Sequence, residues 1–221
     1  MLVHPWDSPV DAAEWQEWLA ATERFGMLVV NNVDPAHAPL VVPTHFTLAG
    51  SEVLLHLARP NPVWPHLEAA AEVRVVLAGD HAYIPGYWRA AGDAPAEDGV
   101  PTSYYSAVQL VGRPTVVDDP AGKAEILTAQ LGDLQPEGRH AVVAADAGPY
   151  ARMLPGIRGI RLAVQRVEAK FKYDDQKPVE HRERVSSALD GRGRGRDPAA
   201  ARQQRRRLAE IGDWQAGHRN G

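Results

Sequence analysis

At 221 residues, 44% hydrophobic and 24% charged, the chain is long enough for one large domain or two small ones and for a sizeable core. The absence of cysteine excludes disulfide scaffolds, iron–sulfur clusters, thiolate zinc sites and cysteine nucleophiles. No apolar run approaches the roughly 20 residues that span a bilayer. The start Met1-Leu-Val-His-Pro-Trp-Asp7 lacks the regions of a secretory signal, so a cytoplasmic protein without a membrane partner is expected. The net charge of −4 hides an asymmetry: residues 1–179 carry 14 Lys and Arg against 22 Asp and Glu, and residues 180–221 carry 10 Arg against 6 acids.

In chain order, Asp11–Phe25 sets Trp15, Trp18, Leu19 and Thr22 at helical spacing, with Gly26 as the stop. Four β-like runs follow, at Met27–Asn31, Leu40–Leu48, Val53–Arg59 and Val73–Ala78. Between the last two, Asn61-Pro62 opens a helix to about Ala71, with Asn61 as its N-cap. Ile84–Thr102, with three Pro and three Gly, reads as a long loop, and Tyr83, Tyr87 and Trp88 favour binding over a mere linker. Strands are expected at Ser103–Leu110, Arg113–Val117 and Ile157–Ala169, and a helix at Ala121–Leu131. Strands outnumber helices, which suggests a small barrel or sandwich with peripheral helices. From about Leu189 the chain becomes a tail. Its Gly191–Arg196 run reads as flexible, and Ala199–Ile211 can form an arginine-rich helix behind Asp197-Pro198.

Three constellations carry chemistry. With Gly50-Ser51 as a two-residue turn, paired positions in the surrounding hairpin sum to 101. His45 then faces His56 on one side, while Phe46, Leu48, Val53, Leu55 and Leu57 take the core side. Two adjacent imidazoles suit a metal, haem iron or a polar cofactor, and an ordinary half-exposed cross-strand pair has the same pattern. At Leu57-Ala-Arg-Pro-Asn-Pro-Val63, a helix start beside Arg59 suits a phosphate, although an Asn-capped helix with a surface arginine reads identically. In Ala169-Lys-Phe-Lys-Tyr-Asp-Asp-Gln-Lys-Pro178, Lys170 and Lys172 share one strand face and Phe171 takes the other. That face suits an anionic cofactor, or simply an exposed edge. P-loop, GxGxxG, GxSxG and HExxH patterns are missing from the sequence. Adjacent Asp174 and Asp175 point to opposite strand faces and make no glycosidase-like dyad.

Taken together, these stretches resemble the PaiB-like FMN-binding proteins, the "FMN-binding negative transcriptional regulators" related to pyridoxamine 5′-phosphate oxidase. The resemblance rests on Pro43-Thr-His-Phe46, His56-Leu-Ala-Arg-Pro-Asn-Pro62 with Trp64, Asp80-His-Ala-Tyr-Ile84 with Trp88, and Val100-Pro-Thr102. It continues through Gly112 with Val117-Asp-Asp-Pro120, Gly156-Ile-Arg-Gly-Ile160 and Lys170-Phe-Lys172, in family order over about residues 1–189. It implies a mainly β, six-stranded Greek-key split barrel with peripheral helices, acting as a homodimer with its cofactor at the subunit interface. His56, Ala58, Arg59 and Asn61 would lie at the phosphate end of FMN. Thr44, His45, Trp88, Thr102, Tyr104, Lys170 and Lys172 would surround the ring or ribityl chain.

The chain departs from the family pattern at Ser103-Tyr104-Tyr105 (usually Trp-Asn-Tyr), at Asp174-Asp175-Gln176 (usually Ser-Gln-Asn) and at Pro85-Gly86 (usually Ser-Pro). Aspartates beside a flavin site are expected to repel its phosphate or alter its redox tuning. The resemblance leads to a flavin-dependent oxidoreductase with a small-molecule substrate. Relatives on the same fold use haem, among them the N–N bond-forming piperazate synthases and haem-degrading proteins. In that alternative haem b would take His45 or His56 as axial ligand. A transcriptional regulator is the second alternative. The acidic body argues against nucleic acid as the partner, and the Arg-rich tail keeps that option open. The division expected is a cofactor-binding domain over 1–189 and an appendage over 190–221, either flexible or a docking helix.

Overall fold

Runs of Val, Leu and Ile supply seven strands, and helices fill the connections between them. The computed structural model describes residues 1–92, 94–212 and 214. In chain order these form α1 (Ala12–Ala21), β1 (Phe25–Val30), β2 (Leu40–His45), β3 (Thr47–Ala49), β4 (Glu52–Ala58), α2 (Trp64–Ala69), β5 (Val73–Ile84) and β6 (Thr102–Val117). They continue with α3 (Pro120–Leu134), α4 (Gly148–Met153), β7 (Ile157–Lys172), α5 (Val179–Arg192) and α6 (Asp197–Ile211). The sheet order is β2-β1-β5-β6-β7-β4-β3. β2 and β3 are one expected run interrupted at Phe46, and the runs expected at Ser103–Leu110 and Arg113–Val117 are one strand, β6, so seven expected runs give seven strands. The chain divides into two compact units: residues 1–22, 78–108 and 169 onward form the first, and residues 23–77 and 109–168 the second.

In the second unit, β4 is buried on both faces. Val53, Leu55 and Leu57 turn inward together, as their period-2 spacing predicts, with Phe46 fully buried. Its other face, expected to be open, is covered by α3: Leu54 packs with Val117 and Ile126, and His56 bonds to Gln130 of α3 at 2.6 Å. The β3–β4 register is the predicted one, with Thr47 opposite Leu54. The pairing does not continue to the histidines. At Phe46 the chain changes partner, so His45 lies opposite Phe25 of β1 and His56 opposite Gly159 of β7. The expected histidine pair is therefore not formed. Gly26 does not stop a helix either. α1 ends at Ala21, and Gly26 sits in β1, where a Cβ would come within 3.0 Å of the Val76 carbonyl oxygen. α2 begins only at Trp64 and spans six residues; Asn61 accepts the Val63 N–H at 3.0 Å in the turn before it.

In the first unit, α5 and α6 form a hairpin. Gly193 takes the left-handed conformation (φ 56°) that ends α5, its N–H bonding to Leu189. The Asp197 carboxylate accepts from Arg192 at 2.7 and 2.6 Å and from the Arg194 N–H at 2.9 Å. The expected flexible Gly-Arg run is thus a helix end and a braced turn. The buried face of α5 is made by His181, Arg182, Val185, Ser186 and Leu189. Because charged and hydroxyl groups share it, the hydrophobic periodicity that would announce the helix is missing. On α1 the same happens: Glu14 is buried alongside Trp18 and Leu19.

Candidate functional site

In the second unit three of the expected phosphate residues, Ala58, Arg59 and Asn61, lie at one turn, with His56 two residues back in β4. Ala58 closes β4, and its carbonyl accepts the Trp64 indole N–H at 3.1 Å. The Arg59 N–H bonds to the Gly156 carbonyl at 2.8 Å. Its guanidinium donates to the Pro155 carbonyl at 2.7 Å and grips Asp118 with two N–H groups. Lys123, almost fully buried, reaches Asp118 at 3.4 Å, and Arg158 Nε reaches it at 3.2 Å. Three cations thus converge on one carboxylate. The Arg59 hydrogen bonds come first in holding the Asp118 carboxyl below its ordinary range. Arg158 also lies over Trp64, 4.7 Å from the ring, and pairs with Glu68 at 2.6 Å. Thr44 is buried and donates to the His45 carbonyl at 3.0 Å. His45 is exposed, 3.6 Å from Glu23, with its ring against Phe25.

The His56–Gln130 bond has a chemical consequence. When Nδ1–H donates to the Gln130 carbonyl oxygen, Nε2 carries the lone pair and is the nitrogen able to ligate a metal.

In the first unit, β7 delivers the two lysines on one face and Phe171, fully buried, on the other, as the alternation predicts. Lys170 is buried and already partnered, by Asp7 at 3.3 Å and the Leu2 carbonyl at 2.8 Å. Lys172 differs. Its ammonium donates to the Thr102 hydroxyl at 2.6 Å, and among the described residues no carboxylate lies within ion-pair distance of it. Burial pushes its pKa down. A half-buried cation held by a neutral hydroxyl is a donor set that fits an anionic group. Trp88 lies in the loop after β5, with Arg192 stacked 4.7 Å from its ring. Tyr104 is fully buried, donates to Asp174 at 3.0 Å and accepts from Gln204 at 3.0 Å. Burial raises its pKa well above the ordinary value.

The two aspartates do not face outward as uncompensated charge. Asp174, in a left-handed conformation (φ 61°), accepts from Arg89 at 3.0 and 3.1 Å, from Tyr104, and lies 3.3 Å from His181 Nε2. Burial pushes its carboxyl up, and the bonds from His181 and Arg89 more than offset this, leaving it below the ordinary value. Asp175 accepts from Arg182 at 2.7 Å and from Arg207 at 2.5 Å, and burial leaves its carboxyl raised despite them. Arg207 also holds buried Glu14 at 2.6 Å. The expected repulsion from these aspartates is thus cancelled by arginines from the loop and the C-terminal helices. Sequence reasoning missed this network. Its one local signal was the Asp-Asp pair, read as a non-catalytic pair and as charge beside a flavin site, not as an acceptor for arginines.

Six of the expected site residues (Thr44, His45, His56, Ala58, Arg59 and Asn61) thus lie in the second unit. The other five (Trp88, Thr102, Tyr104, Lys170 and Lys172) lie in the first.

Residues 4–166 match the model of the family described as "Putative FMN-binding domain". "Protease synthase and sporulation protein PAI 2" of Bacillus subtilis is 28% identical over 135 residues, 60% of this chain and 59% of the relative. The match therefore spans less than two thirds of that protein's length. Among solved structures, the flavocytochrome Anf3 from Azotobacter vinelandii aligns with a TM-score of 0.57 at 19% identity, covering 76% of this chain and 70% of that one. The "FAD and Heme binding protein" from Mycobacterium smegmatis gives 0.53 at 16%, covering 73% and 71%. At these identities the structures show the fold, which is the split β-barrel. The family match extends over well more than half of the chain and takes in the β4 turn and the loop to Thr102, and by it the chain belongs to the FMN-binding domain family.

Proposed function

We propose that the chain holds FMN and works as a flavin-dependent oxidoreductase on a small-molecule substrate, as a cytoplasmic homodimer. The observation that carries the reading is Lys172, whose half-buried charge has a hydroxyl for a partner and, among the described residues, no carboxylate within ion-pair distance. A bound flavin would supply electron and hydride transfer. Lys172 would bind its anionic group, Thr102 would fix the ammonium in place, and Trp88 would offer an aromatic surface. Lys170 and Tyr104 would support this strand and loop from behind. In the second unit, Ala58 and Asn61 would shape the phosphate turn beside Thr44, His45 and His56. Arg59 would reach a phosphate by exchanging Asp118 for it. The half-exposed setting of that pair makes the exchange inexpensive.

The homodimer reading is supported by the outer face of β1 and β2, where Phe25, Met27 and Val41 are exposed. Register pairs them with His45, Pro43 and Val29 into one largely apolar patch. No helix among the described residues is long and apolar enough to cross a membrane.

A second reading, a haem enzyme on the same fold, is favoured by the His56–Gln130 bond, which leaves Nε2 as the ligating nitrogen. A DNA-binding regulator is not favoured: Arg192, Arg205, Arg206 and Arg207 of the tail all pair with carboxylates. The absorption spectrum of the as-purified protein tests the proposal. Paired flavin bands support it, a Soret band without them transfers it to the haem reading, and neither, even after loading with FMN, contradicts it.

A further inference from the structure

A cavity of about 310 Å³ lies in the first unit, lined by Arg89, Lys177, Pro178, Glu180, His181 and Arg184 together with the loop at Ala91 and Gly92. That volume is at the small end for ligand sites. Its back wall is rigid. Arg89 is fixed by two bonds to Asp174 and by one to the Val100 carbonyl. His181 is more than nine-tenths buried, with Nε2 against the same carboxylate. The loop that supplies Arg89 is clamped where it leaves and returns: a Cβ on Gly99 would lie 1.9 Å from the Gly86 carbonyl oxygen.

Two cations at the cavity are not fixed in this way. Arg184 makes only long contacts, 3.3 Å to the Ala90 carbonyl and 3.4 Å to His181 Nδ1, at the outer limit of hydrogen bonding. The Lys177 ammonium has no carboxylate or carbonyl partner among the described residues. Among the described residues, Glu180 is the one carboxylate of the lining. A concave, partly apolar site with two weakly engaged cations on a pre-formed wall is complementary to a small organic anion.

We propose that this cavity is a binding site for a small carboxylate or phosphate monoester, whose anionic oxygens are taken by Lys177 and Arg184. Neither residue belongs to the flavin reading, so the two proposals stand or fall separately. The site also has a route to the candidate cofactor residues, because Asp174, behind Arg89 and His181, is the partner of Tyr104.

Calorimetric titration of the purified full chain with inorganic phosphate and with citrate, at low ionic strength, tests the proposal. The expected result is saturable one-to-one binding of at least one of them, with the tighter anion naming the ligand class. Lys177→Ala combined with Arg184→Ala should weaken that binding at least tenfold, with FMN affinity and the circular dichroism spectrum unchanged. Glu180→Gln should tighten it, because an opposing charge leaves the lining. Absence of saturable binding to the wild type would overturn the proposal. So would a double variant that bound within twofold of wild type, or a Glu180→Gln variant that bound more weakly.

Discussion

In the second unit Arg59 grips Asp118 while the two side chains keep 44% and 41% of their surface in water. In the first unit Arg207 grips Asp175 and Glu14 with the arginine side chain 1% exposed and the carboxylates 0% and 3%. The chemistry is the same and the consequences are opposite. Water and salt screen the exposed pair, so it can open for a competing anion at little cost. The buried pair has no such substitute. Removing one member strands charges whose desolvation nothing then offsets. The arginine in the family motif is therefore the exchangeable one, and Arg207 of the tail, whose composition looks like a nucleic-acid patch, is part of the core, while Arg194, Arg196, Arg202 and Arg205 are exposed.

The contrast can be broken most forcefully by ending the chain at Leu189. Glu14 and Asp175 would lose Arg207, and Tyr104 would lose Gln204. The expected outcome is loss of cooperative thermal unfolding by circular dichroism; a truncated chain that still melted cooperatively would show that the tail is an accessory. Next in size is Arg207→Met, which keeps the bulk and removes the charge. It should cost about 3–5 kcal/mol in urea denaturation, and a loss below about 1 kcal/mol would place this pair with the exposed ones.

The pH dependence sharpens the same contrast. The Asp174 carboxyl is held below its ordinary value, so its stabilisation is present above the unfolded carboxylate pKa of about 3.9. It is lost as pH falls through the folded value. Asp174→Asn should be less stable than wild type at neutral pH, and the gap should narrow in acid. Asp7 and Asp175 act with the opposite sign. Burial raises both, so their protonation on acidification favours the folded state. The smallest effect is expected from Asp118→Asn, which should lower the denaturation midpoint less than either of the other substitutions, because Lys123 keeps its bond to the Leu154 carbonyl, while strengthening phosphate or FMN binding at Arg59.

Legibility followed the range of the interaction. The core face of β4 and the split of Lys170 and Lys172 from Phe171 were readable because strand alternation is local. The pairing of His45 with His56 was not, because the partner change at Phe46 depends on β1 and β7. α5 was invisible because its buried face carries Arg182, His181 and Ser186, which a hydrophobic pattern cannot register. Arg59 was readable as a candidate anion ligand from its neighbours in the turn. Its actual partner, Asp118, lies 59 positions away and is brought to it by tertiary structure. The family was legible because motifs that are individually weak occur in the right order.

The most direct test is fluorescence-quenching titration of FMN with the wild-type chain and with Lys172→Ala. One charge-assisted bond is worth about 1.5–3 kcal/mol, which corresponds to at least roughly tenfold in affinity. The expected result is saturation at one FMN per chain for the wild type and at least tenfold weaker binding for the variant. A wild-type chain that left FMN fluorescence unquenched, or a Lys172→Ala variant that bound equally well, would contradict the account.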